Sequence, residues 1–309
     1  MDGLPQFFSP SLTEVHQRTL KASIACVGTG LHTGKRVHVS LCPAPKGHGI
    51  VFRRTDCHTD VPARFDCVVD ARFATTLACF SNQGIHVTTV EHLLAAFAGA
   101  GIDNVLVELD GPEVPILDGS AAPWLFLIEC AGLADQPDAP RRCVEVRRAV
   151  RVQDGEAWAE LLPPGPHDGL EMTASIAFTA TAIGRQSIAV RLTPESFRHE
   201  LARARTFALA EDVGMLRAAG LARGGTLENA VVVDGARIIN PDGLRMHDEF
   251  VRHKLLDAVG DLALAGAPLR ARFRAHRPGH ALTNRLLRAL FADPTAWHES
   301  ACEPACAVA

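Results

Sequence analysis

The sequence lacks any long uninterrupted apolar run; its longest candidates are broken, for example by Asp103 and Glu129. A membrane-spanning helix, which needs about 20 predominantly apolar residues, is therefore not expected. A basic region at the start is missing as well: MDGLPQFFSPSLTEVH carries two prolines and no Lys or Arg. It does not read as an export signal, and residues 1–16 are expected to form a flexible leader. Charge of one sign is not in excess, with a net charge of −4 and a pI near 6.4. That balance offers no general attraction to nucleic acid or anionic lipid, so no nucleic-acid partner is expected. An even, regularly spaced cysteine set is also absent. Nine cysteines are scattered along the chain, which points to free thiols in a reducing cytoplasm. Cys302 and Cys306 are two thiols and cannot alone close a structural zinc site. Cys26, Cys67 and Cys79 lie in apolar or strand-like surroundings and read as small packing residues.

What is present is ordinary globular composition, 47% hydrophobic and 21% charged over 309 residues, enough for two domains or one large one. From Gln17 to Arg54 short strands alternate with turns. In Arg36–Leu41 the residues Val37, Val39 and Leu41 share one face and Arg36, His38 and Ser40 the other, as in a half-exposed strand. The turn 30–34 has glycine at both ends and reads as a hairpin in which His32 is incidental. A helix is predicted over Val90–Ala98, ended by Gly99 and Gly101. A strand follows at Asn104–Leu109, then a helix at Ala121–Leu133. QPDAPRR at 136–142 reads as a linker, separating a first α+β domain, 17–135, from a second, 143–296, with a tail over 297–309. The second half again opens with strands. Helices follow at Thr193 to about Arg203, at Asp212–Ala219 and at Phe250–Asp261. The strand Leu269–Phe273, a loop at 278–280 and a closing helix Thr283–Phe291 complete it.

The two halves form a weak repeat. Val90-Glu91-His92-Leu93-Leu94 before a strand resembles Val251-Arg252-His253-Lys254-Leu255 before a strand, consistent with two α+β layers packed through their helices. On the helix Phe250–Asp261, His253 and Asp257 are i,i+4 neighbours about 5–6 Å apart at Cβ. They can close on one cation, or form a solvated surface pair. If the repeat is real, His92 supplies a third ligand from the first half, the number a hydrolytic zinc site takes. Glu91 beside it is a candidate base; the alternative is an acidic residue favoured by the helix dipole beside a partly buried histidine. His280 is a candidate acid, with Asp261 able to hold it charged. Thr206, in the Arg-Thr-Phe turn, is a candidate oxyanion donor.

The chain also resembles the UDP-3-O-acyl-N-acetylglucosamine deacetylase family, zinc amidases of lipid A biosynthesis. The resemblance is carried by QRTLKAS (17–23), GTGLHTGK (28–35), FRRTD (52–56), TTVEHLLAAFAGAGIDNVLVELDGPEVPILDGSAAP (88–123), ARTF (204–207), GGTLENAVVVD (224–234), LRMHDEFVRHKLLDAVGDL (244–262) and GHALTN (279–284). It implies a pair of similar βααβ domains in a two-layer sandwich with the helices packed between the sheets. By motif it places the zinc ligands on His92, His253 and Asp257, with ferrous iron as an alternative ion. It places the general base on Glu91, the charged histidine on His280, its orienting partner on Asp261 and the carbonyl-polarising threonine on Thr206. Lys254 matches a lysine that binds the sugar nucleotide. An apolar passage for the acyl chain is expected around 180–190 and Phe207. A cysteine near the metal in some members aligns with Ala78 or Cys79. The implied activity is hydrolysis of the N-acetyl group of an acylated UDP-amino sugar by a cytoplasmic monomer. A non-catalytic sugar-nucleotide or acyl-chain sensor on the same fold is the alternative.

Overall fold

The computed structural model describes residues 15–79, 82–166 and 169–302. The first half is built on a five-stranded sheet in the order Ile24–Thr29, Arg36–Pro43, Val105–Leu109, Ile50–Arg54, Thr59–Pro62. The alternation foreseen at residues 36–41 is realised, with Val37, Val39 and Leu41 each 1% exposed and Arg36 and His38 in solvent. The second half is built on a seven-stranded sheet. Its central strand, Leu269–His276, pairs antiparallel with Ala157–Leu162 and parallel with Leu170–Ala177. Among the described residues, five helices of two turns or more accompany these sheets: α1 (Glu91–Ala100), α2 (Ala122–Ala131), α3 (Ala210–Ala218), α4 (Glu249–Ala263) and α5 (His280–Ala292). Among the described residues, no helix is long and apolar enough to cross a membrane.

The repeat is visible in the topology. In the first half, Ile50–Arg54 runs parallel to Val105–Leu109, and α1 lies between them in the chain. In the second, Leu170–Ala177 runs parallel to Leu269–His276, with α4 between them. Helix α1 is apolar all round after its first two residues, and a helix of that kind belongs in a core. Its Leu93, Leu94 and Phe97 are fully buried, as are Phe250, Leu255 and Leu256 of α4. Each such side chain contributes about 1.5–3 kcal/mol of burial free energy. The two helices pack directly on one another. They approach closely at Gly260, where an added Cβ would sit 2.0 Å from the carbonyl oxygen of Glu91. The α+β sandwich with an internal helix layer expected from the sequence is thus the fold observed.

Several segments differ from expectation. The proposed linker begins inside a strand, Leu133–Pro140, which pairs antiparallel with His16–Leu20. Two-stranded ribbons leave edge N–H positions unpaired, so Pro137 and Pro140 are tolerated there. His16, assigned to the leader, starts that ribbon. Trp297–Ala301, assigned to the tail, pairs with Arg142–Val146 and belongs to the second sheet. The helix at 193–203 is a short turn, Pro194–Ser196, capped by Thr193, that passes into the π-helical segment Phe197–Leu201. The leader up to residue 14, residues 303–309 and Cys306 lie outside the described residues.

Candidate active site

The helix pair brings the sequence's scattered candidates together. Glu91 and His92 occupy the first two positions of α1, whose entry is fixed by Thr89 in the left-handed region (φ 60°). Glu113 holds that entry: its buried carboxylate accepts the Thr89 hydroxyl (3.1 Å), the backbone N–H groups of His32 (2.7 Å) and Thr33 (2.8 Å), and the Thr33 hydroxyl (2.6 Å). The glycine-flanked turn therefore braces the start of α1, and its contact is made by the His32 backbone.

His92, His253 and Asp257 are all buried, and one ligand atom from each lies within 4.8 Å of the others. Asp257 Oδ1 is 3.2 Å from His253 Nε2 and 3.5 Å from His92 Nε2. The two imidazoles meet edge to face at 5.0 Å. His253 Nδ1 donates to the Ala204 carbonyl at 3.0 Å, which leaves its Nε2 as the ligand nitrogen. Burial pushes the His253 pKa down to about 3, against the opposing pull of Asp257, so this imidazole is neutral. Asp257 Oδ2 accepts Lys254 Nζ at 2.9 Å, whereas its buried Oδ1 has no hydrogen-bond donor. A buried carboxylate oxygen without a donor is costly. Two imidazole nitrogens and one such oxygen fit a divalent cation.

On the adjoining side, Glu91 Oε2 accepts the Thr75 N–H at 3.0 Å, and Glu91 Oε1 lies 3.9 Å from His280 Nε2. Burial raises the Glu91 pKa, with the nearby histidines opposing. His280 Nδ1 lies 2.9 Å from Asp261 Oδ2, and Asp261 Oδ1 accepts the Thr75 hydroxyl at 2.6 Å. Burial works against charge on His280, but the Asp261 and Glu91 carboxylates outweigh it and lift its pKa to about 10. His280 is the first residue of α5, where a loop was predicted; the residues that form the helix, His280 to Leu282, carry too little periodicity to be told from a loop.

Thr206 precedes the strand Phe207–Leu209, and its N–H donates to Gly119 at 2.8 Å. The segment 204–206 is held by Glu249 in the first turn of α4. That fully buried carboxylate accepts the Arg205 N–H (3.0 Å) and guanidinium (2.8 Å) and the Arg245 N–H (2.7 Å). Phe207 stacks edge-on against Phe250 (4.9 Å) and Phe178 (5.7 Å) and lies 5.5 Å from Lys254 Nζ. Ala78 and Cys79 end a strand, Thr76–Cys79, in the neighbouring three-stranded sheet.

Sequence reasoning missed Thr75, Ala204, Glu113 and Glu249. Thr75 and Ala204 act through contacts 16 and 49 residues away, with no local signal. Glu249, opening a helix after the turn at 241–248, is visible only as a helix-start acid.

Residues 17–292 match the family described as UDP-3-O-acyl N-acetylglycosamine deacetylase. A UDP-3-O-acyl-N-acetylglucosamine deacetylase of Chromobacterium violaceum is 48% identical over 285 residues, 91% of this chain and 92% of its own length. Proteins of the same description from Myxococcus xanthus and Idiomarina loihiensis are 49% and 45% identical, over 91% and 92% of this chain and 88% and 92% of their own lengths. With those motifs on one helix pair and the match running through both halves, the chain belongs to the UDP-3-O-acyl N-acetylglycosamine deacetylase family.

Proposed function

We propose that this protein hydrolyses the N-acetyl group of UDP-3-O-(3-hydroxyacyl)-N-acetylglucosamine to give the free amine and acetate, an early committed step of lipid A biosynthesis. The observation that carries this reading is the juxtaposition of the His92, His253 and Asp257 ligand atoms with Glu91 and His280, 3.9 Å apart. The nitrogen-rich ligand set favours zinc, with ferrous iron as the alternative. A divalent ion there supplies Lewis acidity, which lowers the pKa of water and polarises the amide carbonyl.

The chain's own groups divide the proton chemistry. Glu91, its pKa raised by burial, is the base that takes the proton of the attacking water. Thr75, donating to Glu91 Oε2, leaves Oε1 as the accepting oxygen. His280, charged through Asp261, presents Nε2–H toward the position of the leaving nitrogen and protonates it. Thr206 donates its hydroxyl to the carbonyl oxygen as negative charge develops. Lys254 provides a cation for the sugar nucleotide. Phe207, with Phe178 and Phe250, offers an apolar wall for the acyl chain; the strand Arg185–Arg191 is tied to the same helix by the Val251 N–H to Gln186 Oε1 bond. With the halves taken as residues 17–135 and 143–296, base and one ligand come from the first and the other groups from the second.

A sugar-nucleotide sensor needs neither a base nor an acid, so the retention of both favours catalysis. The test is acetate release from the acylated nucleotide sugar by the wild type and Glu91→Ala, with metal content measured alongside. Turnover should fall by about 10²–10⁴-fold with metal retained; near-normal turnover in a metal-loaded variant overturns the assignment. Substrates of decreasing acyl length should lose efficiency progressively, and indifference to the acyl chain would exclude the apolar wall.

A further inference from the structure

By the C-terminal ends of α1 and α4, the structure holds a second group of reactive side chains. Cys143 sits in the strand Arg142–Val146 directly opposite Ser300 of the strand Trp297–Ala301. Cys302, two residues past Ser300, is therefore its diagonal neighbour on the same face. Cys143 Sγ lies 3.0 Å from Ser300 Oγ, and the two thiols are near enough to influence each other's ionisation. Cys302 follows the last residue of its strand, and its N–H donates to the Arg141 carbonyl at 2.9 Å. Both cysteines border a cavity of about 340 Å³ whose charged lining is Arg18, Asp103, Arg141 and Arg270. A small neutral oxidant thus has a route to Cys143, which is otherwise only 4% exposed.

We propose that Cys143 and Cys302 form a peroxide-reactive dithiol that closes to a disulfide, fastening the final strand to the second sheet. A diagonal pair stands about 7–8 Å apart at Cα, slightly beyond the usual disulfide span of about 4.4–6.8 Å. The Cys302 bond to Arg141 must yield to close that gap. Cys302 lowers the Cys143 pKa most; burial opposes it, Ser300 and Arg270 add to it and Glu145 resists, leaving the thiol below its ordinary value. Cys302 is correspondingly raised, with Arg141 and Asp103 as its charged neighbours. It keeps its proton until it attacks. In the first step the Cys143 thiolate attacks the O–O bond of hydrogen peroxide and forms a sulfenic acid, releasing hydroxide. The Cys302 sulfur then displaces the sulfenic oxygen, which leaves with the Cys302 proton as water. The two sulfurs lose two electrons, and peroxide is reduced to two waters once the hydroxide is protonated.

The test uses the full chain with a few equivalents of hydrogen peroxide, followed by non-reducing peptide mapping. A 143–302 linked peptide should form before Cys130, the one exposed cysteine among those described, is oxidised, and dithiothreitol should reverse it. Iodoacetamide labelling of Cys143 should show a midpoint below the ordinary thiol value in the wild type. In Cys302→Ala the midpoint should move toward the ordinary thiol value of about 8.5, with Cys302→Ser as a second variant and circular dichroism confirming the fold of each. Oxidation of Cys143 without a link, a link through Cys306 instead, or an unmoved midpoint in the folded variants would overturn the proposal.

Discussion

The proposed chemistry turns on two groups that burial alone would neutralise. Glu91 and His280 lie 3.9 Å apart, and each stabilises the charge of the other. The histidine keeps its proton because Asp261 accepts from Nδ1 and is itself tied down by Thr75. His280 has a folded pKa of about 10, above its unfolded value of about 6.5. Its charged form therefore stabilises the fold fully below about pH 6.5, and that contribution fades as pH rises toward 10. A bound dication nearby favours the neutral form. In the loaded enzyme the basic limb of the kcat profile should accordingly fall between those two values. Removing the orienting carboxylate in Asp261→Asn should shift that limb to lower pH, and His280→Ala should abolish it with a loss of about 10²–10⁴-fold in kcat. A basic limb that stays in place in both variants would remove His280 from its role.

At the scale of elements, the site depends on how closely two helices approach. The Glu91 carbonyl faces Gly260 on α4, three residues past Asp257 and one before Asp261. A methyl group at position 260 would lie 2.0 Å from that oxygen, so Gly260→Ala must push α1 and α4 apart. Overpacking of this kind costs about 1–3 kcal/mol. Urea denaturation should report that loss, and because the displaced carbonyl belongs to the base, kcat should fall with it. A variant of unchanged stability and rate would show that the helix contact is not what sets the base. Glu249 acts at the same scale from the other end of α4. By gathering Arg205 and Arg245 it fixes the Ala204 carbonyl, which in turn orients His253.

In the whole molecule, the three proposed ligand side chains come from both halves, so a metal ion held by them would tie together the two layers the helices join. Metal binding to the folded state alone stabilises it by mass action, by about 4 kcal/mol when the free ion is a thousandfold above its Kd. Chelation should therefore lower the thermal midpoint as well as abolish acetate release, and re-addition of zinc should restore both. His253→Ala should show the lower midpoint with or without chelator. Loss of activity with no change of midpoint would indicate that the ion does not bridge the halves.

The amino-acid sequence by itself determined the helix and strand periods, the repeat of Glu-His and His-Lys segments before a strand, and the identity of the family. Those signals are local: alternation at Val37, Val39 and Leu41, or the i,i+4 spacing of His253 and Asp257, is written within a few residues. The tertiary structure decided the rest, because it depends on contacts between distant segments. Only the fold brought His92 within reach of α4, gave Thr75 its two carboxylates, set the Ala204 carbonyl against His253 and turned the apparent linker at 136–140 into a paired strand. A backbone N–H or carbonyl can serve at any residue type, so no residue type announces it. The pKa values of Glu91 and His280 were likewise undecided until burial and their neighbours were fixed in space.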